Sequence, residues 1–561
     1  MKNSKNQGLV IAGIGVAVFV LAFAGIMLTR NAGKSAKTVS TESAAATIEK
    51  YVKKIGPAQA PVVKSPVELA DTSVDELPDI DTNEITVSPV TSLYAEIFST
   101  SEKCGAGKDG WINEVAERFN REGFEVDGKP VSVMIRNVAS GLGMDYIKSG
   151  KYLPDGYTPS NDFWGKMLIA DGVLVEVVSE RLVGNTAGIL LTRDTQKQLL
   201  EKYGAINLKT IVDATENGEF AMGYTNPYAS ATGLNFLIST LQTYNARDPL
   251  SNESVDGFQT FQANVPFVAY TTLQMREAAE TGTLDGFVME YQTYINDPEL
   301  TRKYEFTPFG FIHTNPLYTP QGTSAQKKQI LQMFAEFSQS EENQELAGEY
   351  GFNVDLNYTV EQNEVDGTTL LNAQELWKKE KDSGRPILAV FVADVSGSMG
   401  GQPLNALKTS LINGMRYINT TNYIGLVSYS DDVVINVPVG KFDLNQQSAF
   451  KGAVESLSAS GGTATFDGII VAADMLIKAR EQYPDAKMMM FVLSDGETNR
   501  GHLLKDIQSP IDALNIPIYT IGYNADIPAL ESISAINEAA SINADSDDVV
   551  YQLRNLFNSS L

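Results

Sequence analysis

Thiol and imidazole are nearly missing from this chain: its 561 residues include one cysteine, Cys104, and two histidines, His313 and His502. A lone thiol excludes an internal disulfide framework, so stability must come from buried cores, and the length suffices for two or three domains. His313 has no histidine or cysteine companion nearby, which argues against a metal role, and His502 reads as a surface residue. No Ser/His/Asp set and no paired-carboxylate cleft is evident, so an enzyme is not expected. Basic charge is short as well. Lys and Arg number 43 against 69 Asp and Glu, a formal net charge of -26. Such a chain repels nucleic acid and anionic lipid surfaces, which excludes both as partners.

One long apolar run is present. Gly8 to Thr29 carries no charge and is long enough to cross a hydrocarbon layer as a helix, after a basic leader holding Lys2 and Lys5. Residues 1–30 therefore read as a signal anchor or transmembrane helix, with cleavage near Ala32 as the alternative. Flanking charge does not fix the orientation, because Arg30, Lys34 and Lys37 follow the span. The large acidic remainder places the bulk outside, in a single-pass cell-membrane protein exposed at the cell surface. Residues 31–85, rich in Ser, Thr, Ala, Glu, Lys and Pro, bury too little to order themselves and read as a flexible stalk, with a helical turn or two near Ile48 to Ile55.

The chemistry concentrates near the C-terminal third. Pro386 to Ala393 is a nearly unbroken apolar run, the pattern of a strand buried on both faces of a parallel sheet, and it turns polar at Asp394-Val395-Ser396-Gly397-Ser398. Asp394, Ser396 and Ser398 offer a carboxylate and two hydroxyls at alternate positions, a hard-oxygen set suited to Mg²⁺, Mn²⁺ or Ca²⁺. Thr463 follows Ser460-Gly461-Gly462, and a second buried-strand run, Lys487 to Ser494, ends at Asp495. In an open α/β sheet such loops share the carboxyl edge. These residues resemble the von Willebrand factor A (VWA) domain with its metal-ion-dependent adhesion site (MIDAS). The resemblance implies a doubly wound, Rossmann-like domain over residues 385–561, and the hairpin pattern of Tyr423 to Tyr429 and Val433 to Val437 gives it one antiparallel edge strand. It implies metal ligation by Asp394, Ser396, Ser398, Thr463 and Asp495, and a partner carboxylate completing the coordination of Mg²⁺ (or Mn²⁺ or Ca²⁺).

Residues 86–360 alternate strand and helix patterns: strands near Ser92 to Phe98, Val131 to Ile135, Ala187 to Leu191 and Thr283 to Tyr291, helices over Trp111 to Arg121, Leu234 to Tyr244 and Ser324 to Ser338. With Asn137 to Gly141 and Thr225 to Gly233 each preceding a helix, the stretch resembles type II extracellular (periplasmic) solute-binding proteins, most of all the branch that carries oxyanions. That implies two α/β lobes with a small solute or anion between them. Ser99, Thr100, Ser140, Ser230 and Thr232 are the candidate ligand contacts, as hydroxyls at strand ends and helix starts. Residues 361–384 read as an interdomain linker, polar with a helical patch from Leu370 to Glu380. The expected function is Mg²⁺-dependent binding of a protein or surface ligand by a membrane-anchored extracellular protein. The alternative is a solute receptor for a membrane transport system, with the VWA domain as docking module.

Overall fold

The structure is a computed structural model and describes residues 40–67, 77–265, 267–269, 275–276, 284–382, 385–495, 498–523 and 541–544. The apolar run Gly8 to Thr29 and the helices expected at Ile527 to Asn537 and Asp547 to Phe557 lie outside these. Among the described residues no helix is long and apolar enough to cross a membrane.

The first described element overturns part of the stalk expectation. Ser40 caps helix α1 (Thr41–Ile55), its hydroxyl accepting from the Ser43 amide, and Gly56 ends it at φ 62°, a left-handed conformation that glycine adopts at little cost. Ala44 and Ile48 are fully buried, and Tyr51, Val52 and Ile55 continue the stripe at helical spacing. They pack against helices near the C-terminal end of the chain. Strand β1 (Ala58–Gln59) then lies parallel to a strand of the C-terminal sheet, pairing Ala58 with Val434 and Gln59 with Ile435. Residues 40–67 are thus built into the C-terminal domain, and the solute-binding-like part is an insertion between two portions of it.

Two lobes follow. In the first, β2 (Ile85–Val87), β3 (Leu93–Ser99), β5 (Lys129–Asn137), β6 (Gly156–Thr158), β7 (Val175–Ser179) and β13 (Leu317–Pro320) form a sheet in the order β2-β5-β3-β6-β13-β7, with β4 (Glu125–Val126) paired on β5. In the second, β8 (Asn185–Thr192), β9 (Met222–Thr225), β10 (Phe267–Ala269), β11 (Gly286–Glu290) and β12 (Tyr304–His313) run in the order β10-β9-β11-β8-β12. Ser99 is in register with Asn137 and with Thr158, so the carboxyl ends of the three parallel strands share one rim. Two helices border the gap between lobes: α2 (Ser140–Ser149) after β5, and α3 (Ala231–Tyr244) after β9.

The helical patch expected within the linker is present, starts three residues earlier, and is packed into a core. Helix α4 (Gly367–Glu380) buries Leu370, Ala373 and Trp377 in the same core as α3, and the Trp377 indole donates to the Tyr224 hydroxyl at 2.6 Å. Beyond it, Asp382 accepts from Lys381 at 2.9 Å and from Lys487 of the C-terminal domain at 3.2 Å. Burial alone would push Asp382 up, but these two ammonium groups hold it below the usual carboxylate range.

The C-terminal sheet runs β1-β16-β15-β14-β17-β18-β19, with β14 (Ile387–Asp394), β15 (Tyr423–Tyr429), β16 (Val433–Lys441), β17 (Lys487–Ser494), β18 (Ile518–Tyr523) and β19 (Ser541–Ala544). All pairings are parallel except β15 with β16. The antiparallel strand is therefore not the edge that the sequence implied, because β1 covers it. Alternate residues of β14 enter opposite cores, Ile387, Ala389 and Phe391 on one side and Leu388, Val390 and Val392 on the other. Helices α5 (Thr465–Gln482) and α6 (Leu504–Leu514) cover the second side together with α1.

Candidate functional site

The carboxyl ends of the central strands are level: Asp394 faces Tyr429 across β14 and β15, and Ala393 faces Leu493 across β14 and β17. Asp394 is fully buried. Its Oδ1 accepts from the Ser396 amide at 2.8 Å, and its Oδ2 from the Ser494 hydroxyl at 2.6 Å and the Tyr429 hydroxyl at 3.2 Å. The Ser396 and Ser398 hydroxyls are 3.0 Å apart, and Ser398 donates to Asp495 Oδ1 at 3.0 Å. Four of the five sequence-predicted positions therefore join in one chain of contacts.

Thr463 reaches the same edge through its loop. The Gly397 amide donates to the Gly461 carbonyl at 3.0 Å, and the Ser460 amide to the Val395 carbonyl at 2.8 Å. The Thr463 carbonyl accepts from the Thr498 hydroxyl at 2.9 Å and from the Asn499 and Arg500 amides at 3.0 and 3.2 Å. Asn499 also accepts from the Thr463 amide at 2.9 Å. Sequence reasoning missed Asn499, Tyr429 and Ser494, because their roles depend on partners distant in the chain and no local spacing marks them.

Burial pushes the Asp394 carboxyl above its ordinary value, and the neighbouring Asp495 charge adds to the rise. Among the described residues no lysine, arginine or histidine is paired with either carboxylate. Two acids and three hydroxyls without a cation of their own form a set that a hard divalent ion fits. His502 is not the free surface residue expected. Its Nδ1 lies 2.5 Å from Asp467 Oδ1, and its ring sits 4.6 Å from that of Tyr51 on α1.

The middle domain has its lobes shut. The Gly141 amide of α2 reaches the Ala229 carbonyl at 3.4 Å, and the Asn161 amide group reaches the Ala231 carbonyl at 3.3 Å. A Cβ on Gly141 would lie 2.2 Å from the Tyr228 carbonyl oxygen, so only glycine permits this approach. The five predicted contacts separate into different roles. Thr100 donates to Glu102 Oε1 at 2.6 Å and accepts from Lys103 at 3.0 Å, Ser140 accepts from the Ser160 amide at 3.4 Å, and the Ser99 hydroxyl is buried without a hydrogen-bond partner among the described residues. On the other lobe, Ser230 is spent on capping α3, and Thr232 donates to Glu290 Oε1 at 3.0 Å.

Glu102, Lys103, Glu290 and His313 were not anticipated here. Lys103 is completely buried and donates to Thr100, to the Thr158 carbonyl and to Asn315 Oδ1. Glu290 takes the Asn185 amide at 2.6 Å and His313 Nδ1 at 2.9 Å. Burial pushes Glu102 up and the Glu290 charge across the lobes pushes it further. Burial would raise Glu290 too, but the His313 imidazole and Lys103 ammonium hold it low. The expected anion pocket thus holds a buried network of Glu102, Lys103, Glu290 and His313 that the hydroxyl pattern did not reveal.

Comparison with known proteins agrees with the division into two modules. The von Willebrand factor type A domain family matches residues 389–558, and the bacterial extracellular solute-binding protein family matches residues 104–353. An inter-alpha-trypsin inhibitor heavy chain of Sus scrofa is 30% identical over 190 residues, covering 32% of this chain and 20% of that protein. The chain thus spans about a fifth of that relative. Among solved structures, a von Willebrand factor type A protein from Catenulispora acidiphila is 20% identical with TM-score 0.28, covering 31% of this chain and 42% of that one. Iron-bound HitA from Pseudomonas aeruginosa is 14% identical with TM-score 0.38, covering 52% and 99%. The chain combines a bacterial extracellular solute-binding domain with a von Willebrand factor type A domain.

Proposed function

We propose that this is an extracytoplasmic binding protein whose C-terminal domain captures an acidic partner through a divalent metal, Mg²⁺ being the first choice. The observation that carries the reading is the contact chain Ser396–Ser398–Asp495 beside the buried Asp394, with no cationic side chain among the described residues to balance the two acids. Ser396, Ser398 and Thr463 would hold the ion with the two carboxylates. A metal held largely by neutral hydroxyls keeps an affinity for an outside carboxylate. Asp394, engaged by Ser396, Ser494 and Tyr429, fixes the floor, while the exposed Ser398 and the partly buried Asp495 lie toward solvent. No nucleophile with a general base accompanies the set, which supports binding rather than catalysis.

Extracytoplasmic placement is supported by the match to a bacterial extracellular solute-binding family. Anchoring through Gly8 to Thr29 is part of the same proposal. The transport reading comes second: Glu102, Lys103, Glu290 and His313 are engaged with one another between the lobes, although the Ser99 and Thr158 hydroxyls and Asn161 Oδ1 are buried without partners among the described residues. The test is metal titration of the full chain with Mn²⁺ and Mg²⁺. Saturating metal, at about a hundred times its Kd, should stabilise the protein by about 2.7 kcal/mol. Asp394→Asn and Asp495→Asn should each remove that gain, and an equal gain in the wild type and both variants would refute the site.

A further inference from the structure

Beside the Thr463 loop lies an ion pair that the metal reading does not use. Asp431 sits in the turn between β15 and β16, and its Oδ1 accepts from the Gly462 amide at 3.0 Å and lies 2.6 Å from Arg500 Nε. Arg500 also binds the loop through its own amide, which donates to the Thr463 carbonyl at 3.2 Å. The glycines of the loop are matched to this pair. Gly461 has φ 78° and a Cβ there would lie 2.6 Å from Asp431 Oδ2, while a Cβ on Gly462 would lie 2.6 Å from Arg500 Nε.

A surface ion pair by itself is worth little and needs no such fit. Here Asp431 is fixed by a backbone amide, so the arginine is held in place before any partner arrives, which lowers the entropic cost of using it. The Arg500 side chain is 60% exposed, and its terminal guanidinium nitrogens have no hydrogen-bond partner among the described residues. A guanidinium engaged through Nε keeps its outer N–H donors for another oxyanion. In a chain of net charge -26, an oriented arginine next to a metal-ligand loop is a local attraction for acid.

We propose that Arg500 is a specificity-determining contact. It binds a second acidic side chain of a partner whose first carboxylate goes to the metal, so that the site selects peptide segments carrying two acids close together. This rests on the metal-binding reading above. Arg500 touches the partner in this account and is not a metal ligand.

The experiment uses the full chain and two readouts. Mn²⁺ affinity is measured without peptide, and then, in saturating Mg²⁺, fluorescence anisotropy gives the affinity for a glycine-serine peptide bearing one glutamate. A matched set of peptides carries a second glutamate one, two or three residues away. The wild type should bind the best di-acidic peptide about tenfold more tightly than the mono-acidic one, the effect of one charge-assisted hydrogen-bonded contact. Arg500→Ala should erase that preference and leave Mn²⁺ affinity within about twofold, whereas Arg500→Lys should keep part of the preference because its charge remains. An unchanged preference in Arg500→Ala, no binding of any peptide by the metal-loaded wild type, or a parallel loss of Mn²⁺ affinity in Arg500→Ala would each overturn the assignment. The last would make the arginine only a brace for the Thr463 loop. Absence of Mn²⁺ binding in the wild type would instead remove the metal reading, and this inference with it.

Discussion

Replacing Ile48 by alanine separates a stalk from a structural helix. Ile48 is fully buried where α1 meets the second-side core of the C-terminal sheet, a core that also holds Ile470, Ile507 and Ile511. Truncating a buried isoleucine to alanine costs about 2–5 kcal/mol through lost transfer energy and the cavity left behind. Alanine recovers roughly 0.4 kcal/mol in helix propensity, so about 3 kcal/mol is the working figure. For a domain of about 200 residues this lowers Tm by about 6–12 °C. The assay is thermal and urea unfolding of the full chain, with the exposed Lys50→Ala as control, expected within about 0.5 kcal/mol of wild type. Loss of β1 pairing should accompany the change, seen as faster proteolysis near Ala58 and Gln59. If Ile48→Ala behaves like the Lys50 control, residues 40–67 are not part of the C-terminal domain and the insertion topology is wrong.

Three further outcomes follow from the same contacts. Gly141→Ala places a methyl group 2.2 Å from the Tyr228 carbonyl, so it should cost about 1–3 kcal/mol and raise the radius of gyration in small-angle scattering as the lobes part; an unchanged radius and Tm would refute the close approach. Glu102 is raised by burial and by Glu290, so the folded state binds its proton more tightly than the unfolded chain does. Its contribution to stability is then fully present below the unfolded carboxyl pKa and lost as pH rises through the raised value. Glu102→Gln should flatten that decline in a pH series of urea titrations, and a parallel decline in both proteins would refute it. Asn499→Ala should weaken Mn²⁺ binding about tenfold by freeing the Thr463 backbone, and an unaltered Mn²⁺ Kd would show that the clamp is dispensable.

Local pattern made much of the fold legible. The apolar run ending at Asp394 is β14 with its residues buried on both faces, and the run from Lys487 to Ser494 is β17 with the expected bounds. The helix expected from Trp111 to Arg121 ends one residue later, at Glu122, before Gly123 in a left-handed conformation. Helix α1 is legible only in part, as turns near Ile48 to Ile55, because its buried stripe is narrow and lies within a polar composition that resembles disorder. The spacing of Ala44, Ile48, Tyr51, Val52 and Ile55 was the available signal. In the linker the helical patch from Leu370 to Glu380 is legible in the sequence, but what Trp377 and Leu370 pack against shows only when Tyr224 and α3 are in place.

Sequence alone determined the two α/β modules, the hard-oxygen character of the C-terminal site and the side chains that could compose it, because strand ends and hydroxyl spacing are local properties. Tertiary structure decided that residues 40–67 complete the C-terminal domain, that Glu102 faces Glu290 between closed lobes, and that Asp431 holds Arg500 beside Thr463. Each of these joins residues far apart in the chain, where no periodicity records the partner and only packing of the whole chain brings the charges together.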